Sequence, residues 1–390
     1  MKEFKSYKLM GYMIYFIQGT MLTSLAVIMP LLREKLGLTY ESTGMVFSMG
    51  MLGYLIGSAI TGIMLEKSGS KLPSFIGYIL IPLGMVGIIL SGNSAFLAVS
   101  NFICSFGTSM LQIALPSMAK RYTDKTGKML NLFHSLCALG AVSSPLILGV
   151  FISNGISWRY FYMLTAISSI VPFLIMFRIK SKKAVTHAEI KEENSFSFIK
   201  KPLYIFLCMA VMIYVLTESG INSWSPMFAH DSLNFEETLS GLLPSLFWFG
   251  LFLGRFISSK FVDKVGKSKW LFTVVLAGIP VVFFSQKPYP NFIFIAIMVF
   301  VAGLIHSSVY PTLQSLLIDR IHKGVGYALS IFAAFGGLGG MISGMVVGNI
   351  SKNFGIENGF FSIFFFFLLL FAIVVLIFFS DKREIGREKV

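Results

Sequence analysis

Glu218 is the most deeply placed acid in the long apolar runs of this chain, about sixteen residues into the stretch 202–228. That is roughly 24 Å along a helix at 1.5 Å per residue. An ionisable group at the centre of an apolar span costs about 2.5–3.5 kcal/mol on insertion scales, so each one is a functional candidate. A carboxyl here could exchange a proton, hold a cation or accept hydrogen bonds from hydroxyl groups; the plainer reading is an acid satisfied by its neighbours. His134 follows Asn131 by three positions and precedes Ala138 by four, which puts all three on one helix face. Its imidazole can exchange a proton near neutral pH or bind a hydroxyl, or simply link two helices. His306, five residues before Pro311, allows the same chemistry. Trp224, Trp248, Tyr214 and Tyr310 offer aromatic faces, and Asn222 and Gln314 offer amides. Together these suit the apolar faces and hydroxyls of a polyhydroxylated ring. Packing and interface anchoring compete with that reading, and are preferred outright for Trp158 and Trp270 at predicted membrane borders. Gln112 can bind a hydroxyl but cannot carry a proton. Arg255 is expected to lie about 15 Å from Glu218 in depth and to snorkel toward Asp263 or Asp319 as a structural residue.

The elements that must position these groups follow from composition. Of 390 residues, 55% are hydrophobic and 13% charged, far more apolar surface than a water-soluble core can hide. Twelve apolar stretches of bilayer-spanning length are expected at 8–31, 43–65, 73–92, 95–119, 129–153, 160–178, 202–228, 238–261, 270–286, 291–318, 327–350 and 359–379. The first is too long for a signal peptide and reads as an uncleaved helix. The formal charge of +14 does not imply nucleic acid. Of 32 Lys and Arg, 26 fall in alternate loops on the side of the N-terminus, and five (Arg33, Lys35, Arg159, Lys287 and Lys352) fall opposite. By the positive-inside rule both termini are cytoplasmic, in a multi-pass protein of the cell membrane. Cys104, Cys137 and Cys208 lie within spans without metal-ligand spacing, so packing roles are expected and no disulfide, metal or cofactor. No Walker loop, zinc spacing or nucleophile elbow points to an enzyme.

A shift of 197 positions superposes Gly53 on Gly250, Gly57 on Gly254, Thr61 on Ser258, Glu66 on Asp263, Lys67 on Lys264 and Gly69 on Gly266; Thr20 falls on Thr217, and a slightly different shift brings Pro116 onto Pro311. One chain therefore contains two related halves, which in membrane transporters enclose a midplane site. The expected organisation is an N-terminal six-helix bundle over 1–178, a cytoplasmic linker over 179–201, a C-terminal bundle over 202–379 and a cytoplasmic tail over 380–390. The paired Gly-x-x-x-Gly spacings, extended by Gly336, Gly340, Gly344 and Gly348, let neighbouring helices approach closely.

After the second span comes Gly62-x-x-x-Glu66-Lys67-x-Gly69, and after the eighth Ser259-x-x-x-Asp263-Lys264-x-Gly266-Lys267. These loops resemble the signature of the major facilitator superfamily, with Glu66 for the usual Asp. The resemblance implies an all-α membrane protein of twelve transmembrane helices in two pseudo-symmetric six-helix bundles. It also implies a conformational lock made by Gly62, Glu66, Lys67, Gly69, Asp263, Lys264 and Gly266, with Arg255 grouped beside them. Within the superfamily, four stretches are similar to the fucose:proton symporter family, which includes bacterial glucose/mannose symporters. These are Tyr214-Val-Leu-Thr-Glu218 through Trp224, Trp248 to Arg255, Val309-Tyr310-Pro311-Thr312 and Leu139-Gly140-Ala141 with Pro145. That resemblance implies a secondary transporter moving a small polyhydroxylated solute such as a hexose by alternating access. It is expected to act as a monomer, with the bilayer as its other partner and a proton or sodium ion co-transported. Gln112 departs from the acid that proton-coupled members carry, so coupling would fall on Glu218, His134 or His306, all outside the first helix, or be absent. The rival expectation is a drug or metabolite antiporter, because Gly140 to Gly149 partly resembles that group's fifth-helix motif.

Overall fold

A computed structural model describes residues 2–38, 40–177, 197–235 and 237–388. Sixteen α-helices and a 3-10 turn, Ser197–Lys200, account for the regular structure of the described residues. The first eight helices are α1 Lys2–Leu36, α2 Tyr40–Ser68, α3 Lys71–Leu90, α4 Ser94–Ser117, α5 Ala119–Tyr122, α6 Thr126–Ser153, α7 Trp158–Ser168 and α8 Ile170–Met176. The remainder are α9 Pro202–Asp231, α10 Glu237–Ser258, α11 Val262–Val265, α12 Lys267–Ser285, α13 Phe292–His306, α14 Val309–Arg320, α15 Val325–Phe354 and α16 Ile356–Glu388. Eleven helical runs are long and apolar enough to cross a bilayer, and Leu242–Ser258 within α10 is a shorter apolar twelfth. Helices are the fit solution in lipid because every backbone N–H and C=O is bonded within its own segment.

The twelve expected stretches map onto these runs with three interruptions. The fourth is broken at Met118 between α4 and α5, the sixth is divided at Ser169 into α7 and α8, and the tenth at Ser307–Ser308 into α13 and α14. Proline chemistry explains the last. Four residues beyond Ser307 stands Pro311, which has no N–H to return to the Ser307 carbonyl. At its far end α16 continues through Glu388, so the expected tail from 380 is helical as far as the described residues reach. Most of the expected linker, 179–196, lies outside the described residues.

The chain divides into two compact units. Among the described residues, one takes those to Asp124, 136–177 and Gly324–Ile331; the other takes Lys125–Ser135, 197–323 and 332–388. Thus α6 starts in the second unit and continues in the first, while α15 does the reverse. Within each unit the same packing device recurs. A Cβ on Gly53 of α2 would collide with the Phe102 carbonyl of α4, and one on Gly250 of α10 with the Phe300 carbonyl of α13. One turn on, Gly57 meets the Ser109 hydroxyl and Gly254 the Ser307 hydroxyl. The helix starts repeat as well: the Asn93 side chain accepts from the Phe96 amide at 2.8 Å, and Asn291 accepts from the Phe294 amide at 3.1 Å. These partners stand 198 positions apart, one more than the register of the glycines.

At Gly53 and Gly250 the opposing atoms are all backbone, so little can give. Gly53→Ala and Gly250→Ala are each expected to lower stability by about 1–3 kcal/mol, read as a fall in the unfolding midpoint of detergent-purified protein. Unchanged midpoints would show that these helices can separate freely.

Candidate functional site

Helix α9 carries Tyr214, Glu218 and Asn222 at intervals of four, so their side chains rise along one face. The Tyr214 hydroxyl donates to Glu218 Oε1 at 2.6 Å. From α10, Arg255 Nη2 reaches the same oxygen at 3.4 Å, with the two side chains 5% (Arg255) and 17% (Glu218) exposed. Arg255 Nε donates to the Ser307 carbonyl at 2.9 Å, and Nη1 to the His134 carbonyl at 3.2 Å.

This placement corrects the expectation that Arg255 snorkels away from Glu218 toward Asp263 or Asp319. Depth along straight helices did not allow for the interruption of the tenth span. Pro311 leaves the Ser307 carbonyl without its helical donor, and Gly254 brings α10 against Ser307, so the guanidinium finds acceptors inside the unit. A buried cation with acceptors and a counter-ion has no need of the membrane surface.

His134, on the part of α6 that belongs to the second unit, lies 3.3 Å from Gln314 Oε1 through Nε2, and its ring centroid is 5.3 Å from that of Tyr310. Tyr310 in turn is 6.2 Å from Tyr214. Asn131, one turn before His134 and fully buried, donates from Nδ2 to the Gly127 carbonyl. Trp248 Nε1 donates to Asn222 Oδ1 at 2.8 Å, joining an indole and an amide one turn beyond Glu218, both half-buried. Glu218, Arg255, Tyr214, His134, Gln314 and Tyr310 thus form one connected cluster, flanked by Asn222 and Trp248.

Of the other expected site residues, His306 meets the cluster through the Tyr214 ring, while Trp224 and Gln112 are placed apart from it. His306 sits among Phe367, Phe247 and Tyr214 at centroid distances of 5.1, 5.7 and 6.0 Å, and its Nδ1 is 2.8 Å from the Ala302 carbonyl of its own helix. Trp224 packs against α15, where a Cβ on Gly348 would stand 3.3 Å from its ring. Gln112 lies in the first unit, where its Oε1 accepts from the Tyr54 hydroxyl at 3.0 Å.

The two signature loops do matching work. Glu66 Oε1 accepts from the Gly326 amide at 2.8 Å at the start of α15, within the first unit. Asp263 Oδ2 accepts from the Lys128 amide at 2.7 Å at the start of α6, within the second. Each acid therefore satisfies a donor that a helix start leaves open, where the helix dipole favours negative charge. Gly69 at φ +72° and Gly266 at φ +93° make the turns that a side chain would resist. Gly62 lies close to Gly326 and Ser330, whereas Lys67 and Lys264 are exposed. Lys267 adds ion pairs to Asp319 and, at 3.6 Å, to Asp263, and donates to the Thr126 hydroxyl. Arg255, expected beside these loops, belongs instead with Glu218.

One ionic group escaped sequence reasoning. Asp381, 3% exposed, accepts from Arg320 Nε at 2.7 Å and from the Ser268 hydroxyl at 2.6 Å. An acid just past an apolar span reads as solvated, and only the continuation of α16 places it inside.

The sequence profile of the Major Facilitator Superfamily matches residues 11–323 and 271–390. A TsgA homolog from Buchnera aphidicola subsp. Baizongia pistaciae is 22% identical over 351 residues, 89% of this chain and 88% of that protein. In three dimensions the chain is similar to the Escherichia coli fucose:proton symporter FucP, with TM-score 0.81 and 17% identity over 95% of this chain and 99% of that one. It is also similar to the proton:xylose symporter XylE, with TM-score 0.79 and 14% identity over 95% of each. At such identities the structures speak for the fold, and the profile, spanning almost the whole length, for the family. This chain belongs to the Major Facilitator Superfamily, and it is a transporter of small molecules built from membrane-spanning helices.

Proposed function

We propose that the protein moves a small polyhydroxylated solute of hexose size across the cytoplasmic membrane by alternating access, coupled to a cation. The observation that carries this reading is the α9 face, where a carboxyl held by Tyr214 and Arg255 stands one turn from the Asn222–Trp248 pair. An indole face covers the apolar side of a pyranose ring, and the Asn222 Nδ2 group remains a donor for a hydroxyl. Glu218 is the acid of that face, which supports coupling there. The sugar symporters among the structural neighbours agree with the reading through their fold. With 26 of 32 basic residues on one set of loops, both termini face the cytoplasm, and one chain suffices as the working unit.

Proteoliposomes containing the purified chain are expected to take up a labelled hexose or a close polyhydroxylated analogue, with unlabelled sugars competing. The reading falls if no member of a broad sugar panel competes or raises the unfolding temperature while amphipathic cations do. That outcome would favour the antiporter alternative.

A further inference from the structure

Within the membrane core of the second unit, Arg255 and Glu218 form a contact pair of net charge zero, and among the described residues neither is bonded to any other Lys, Arg, Asp or Glu. Protonating Glu218 by itself would discharge the anion and leave a 5% exposed guanidinium without its counter-charge. A low-dielectric interior opposes such a state. A proton is therefore accommodated most readily when a second negative charge arrives to replace the carboxylate. The solute is the mobile species able to bring one.

We infer that the solute coupled to the proton is a polyhydroxylated monoanion, a sugar acid with one carboxylate, which takes Glu218's place at Arg255. This rests on the reading of the chain as a cation-coupled carrier of polyhydroxylated solutes. The geometry provides for the exchange. Guanidinium carries five N–H donors, and three are engaged with Ser307, His134 and Glu218, leaving one on each of Nη1 and Nη2. Two such donors match the fork of a carboxylate. On the acid, both Tyr214 and Arg255 bond Oε1, while Oε2 has no partner among the described residues. The proton enters on Oε2, and Glu218 releases Nη2 while keeping the Tyr214 hydroxyl. Glu218 is also the more exposed of the pair, and it alone can accept a proton, since the guanidinium is already charged. One positive and one negative charge enter together, and the empty and loaded sites are both neutral. The other titratable groups nearby do not disturb this balance. Tyr214 stays on Glu218, His134 faces Gln314, His306 lies among aromatic rings, and Asp319 at the far end of α14 is paired with Lys267. A neutral hexose brings no charge, so it crosses without a proton.

The test uses the full chain in proteoliposomes with a pH dye inside and the membrane potential clamped. Glucose is compared with glucuronate, and galactose with galacturonate. Uptake of the acids is expected to bring in one proton per molecule and to be independent of potential, with no proton signal for the neutral sugars. Arg255→Gln should lower acid uptake by about a hundredfold and Arg255→Lys much less, while Glu218→Gln should take up acid without a proton signal. If Arg255→Gln does not fold, the proton-to-solute ratio and potential independence of the unaltered protein decide. Accumulation of the neutral hexose with protons and charge movement, or acid uptake without protons, overturns the inference and leaves the sugar-transport reading standing. Failure to bind either class of sugar removes both.

Discussion

Arg255→Met is expected to destabilise the protein by about 3–5 kcal/mol, the usual cost of removing one partner from a buried ion pair. The larger part of that cost falls on what remains. Glu218 would keep the Tyr214 hydroxyl but lose its counter-ion, and the Ser307 carbonyl would lose the donor that substitutes for the missing Pro311 amide. The double variant Glu218→Gln/Arg255→Met should recover most of the loss, because it discharges both partners. A thermal or denaturant titration of detergent-purified proteins, run on the two single variants and the double, measures the coupling directly. Additive effects would mean that the two side chains do not act on each other.

Glu218→Gln is expected to abolish coupled accumulation while sparing exchange. An amide oxygen can still accept from Tyr214 and Arg255, so the cluster keeps its shape, but it cannot take up a proton. One proton per solute under a one-unit pH gradient sustains accumulation of about tenfold. In the variant, internal and external solute should reach equality and uptake should no longer follow pH. Equilibrium exchange, normalised to folded protein, should stay within about threefold of the unaltered chain. Retained accumulation would move the coupling to His134 or to a sodium site, and a parallel experiment with a sodium gradient separates these.

Much of this arrangement is legible in the sequence because lipid imposes a strict grammar. Spans follow from apolar length, and the repeated glycines and loop acids align in one register because each makes the same contact in its own unit. Glu218 stands out by depth alone. Its partner does not, since estimating depth along an unbroken tenth span hides the effect of Pro311. The clue is nonetheless local: a proline four residues past Ser307 guarantees a carbonyl in search of a donor, and Arg255 follows the glycine that packs on Ser307. Helical phase also separates the two tryptophans. Trp224 is two residues from Asn222, about 200° around the helix, and so turns toward Gly348, whereas Trp248 comes from another helix to bond Asn222. Asp381 was hidden for a different reason, because where a helix stops is the least certain part of reading one.

The bond from the Gly326 amide to Glu66 has a consequence for synthesis. Its partners are 260 residues apart in the chain yet lie in the same compact unit. At about 5–20 residues per second, a ribosome delivers Gly326 roughly 10–50 s after Glu66. For the later part of that interval, once α8 has been made, the first unit waits with its six apolar spans complete and its loop acid still without this partner. Completion of the first half is thus scheduled by translation of the second, and a nascent chain arrested before residue 324 should remain more open to proteolysis at the Glu66 turn than one released after 331.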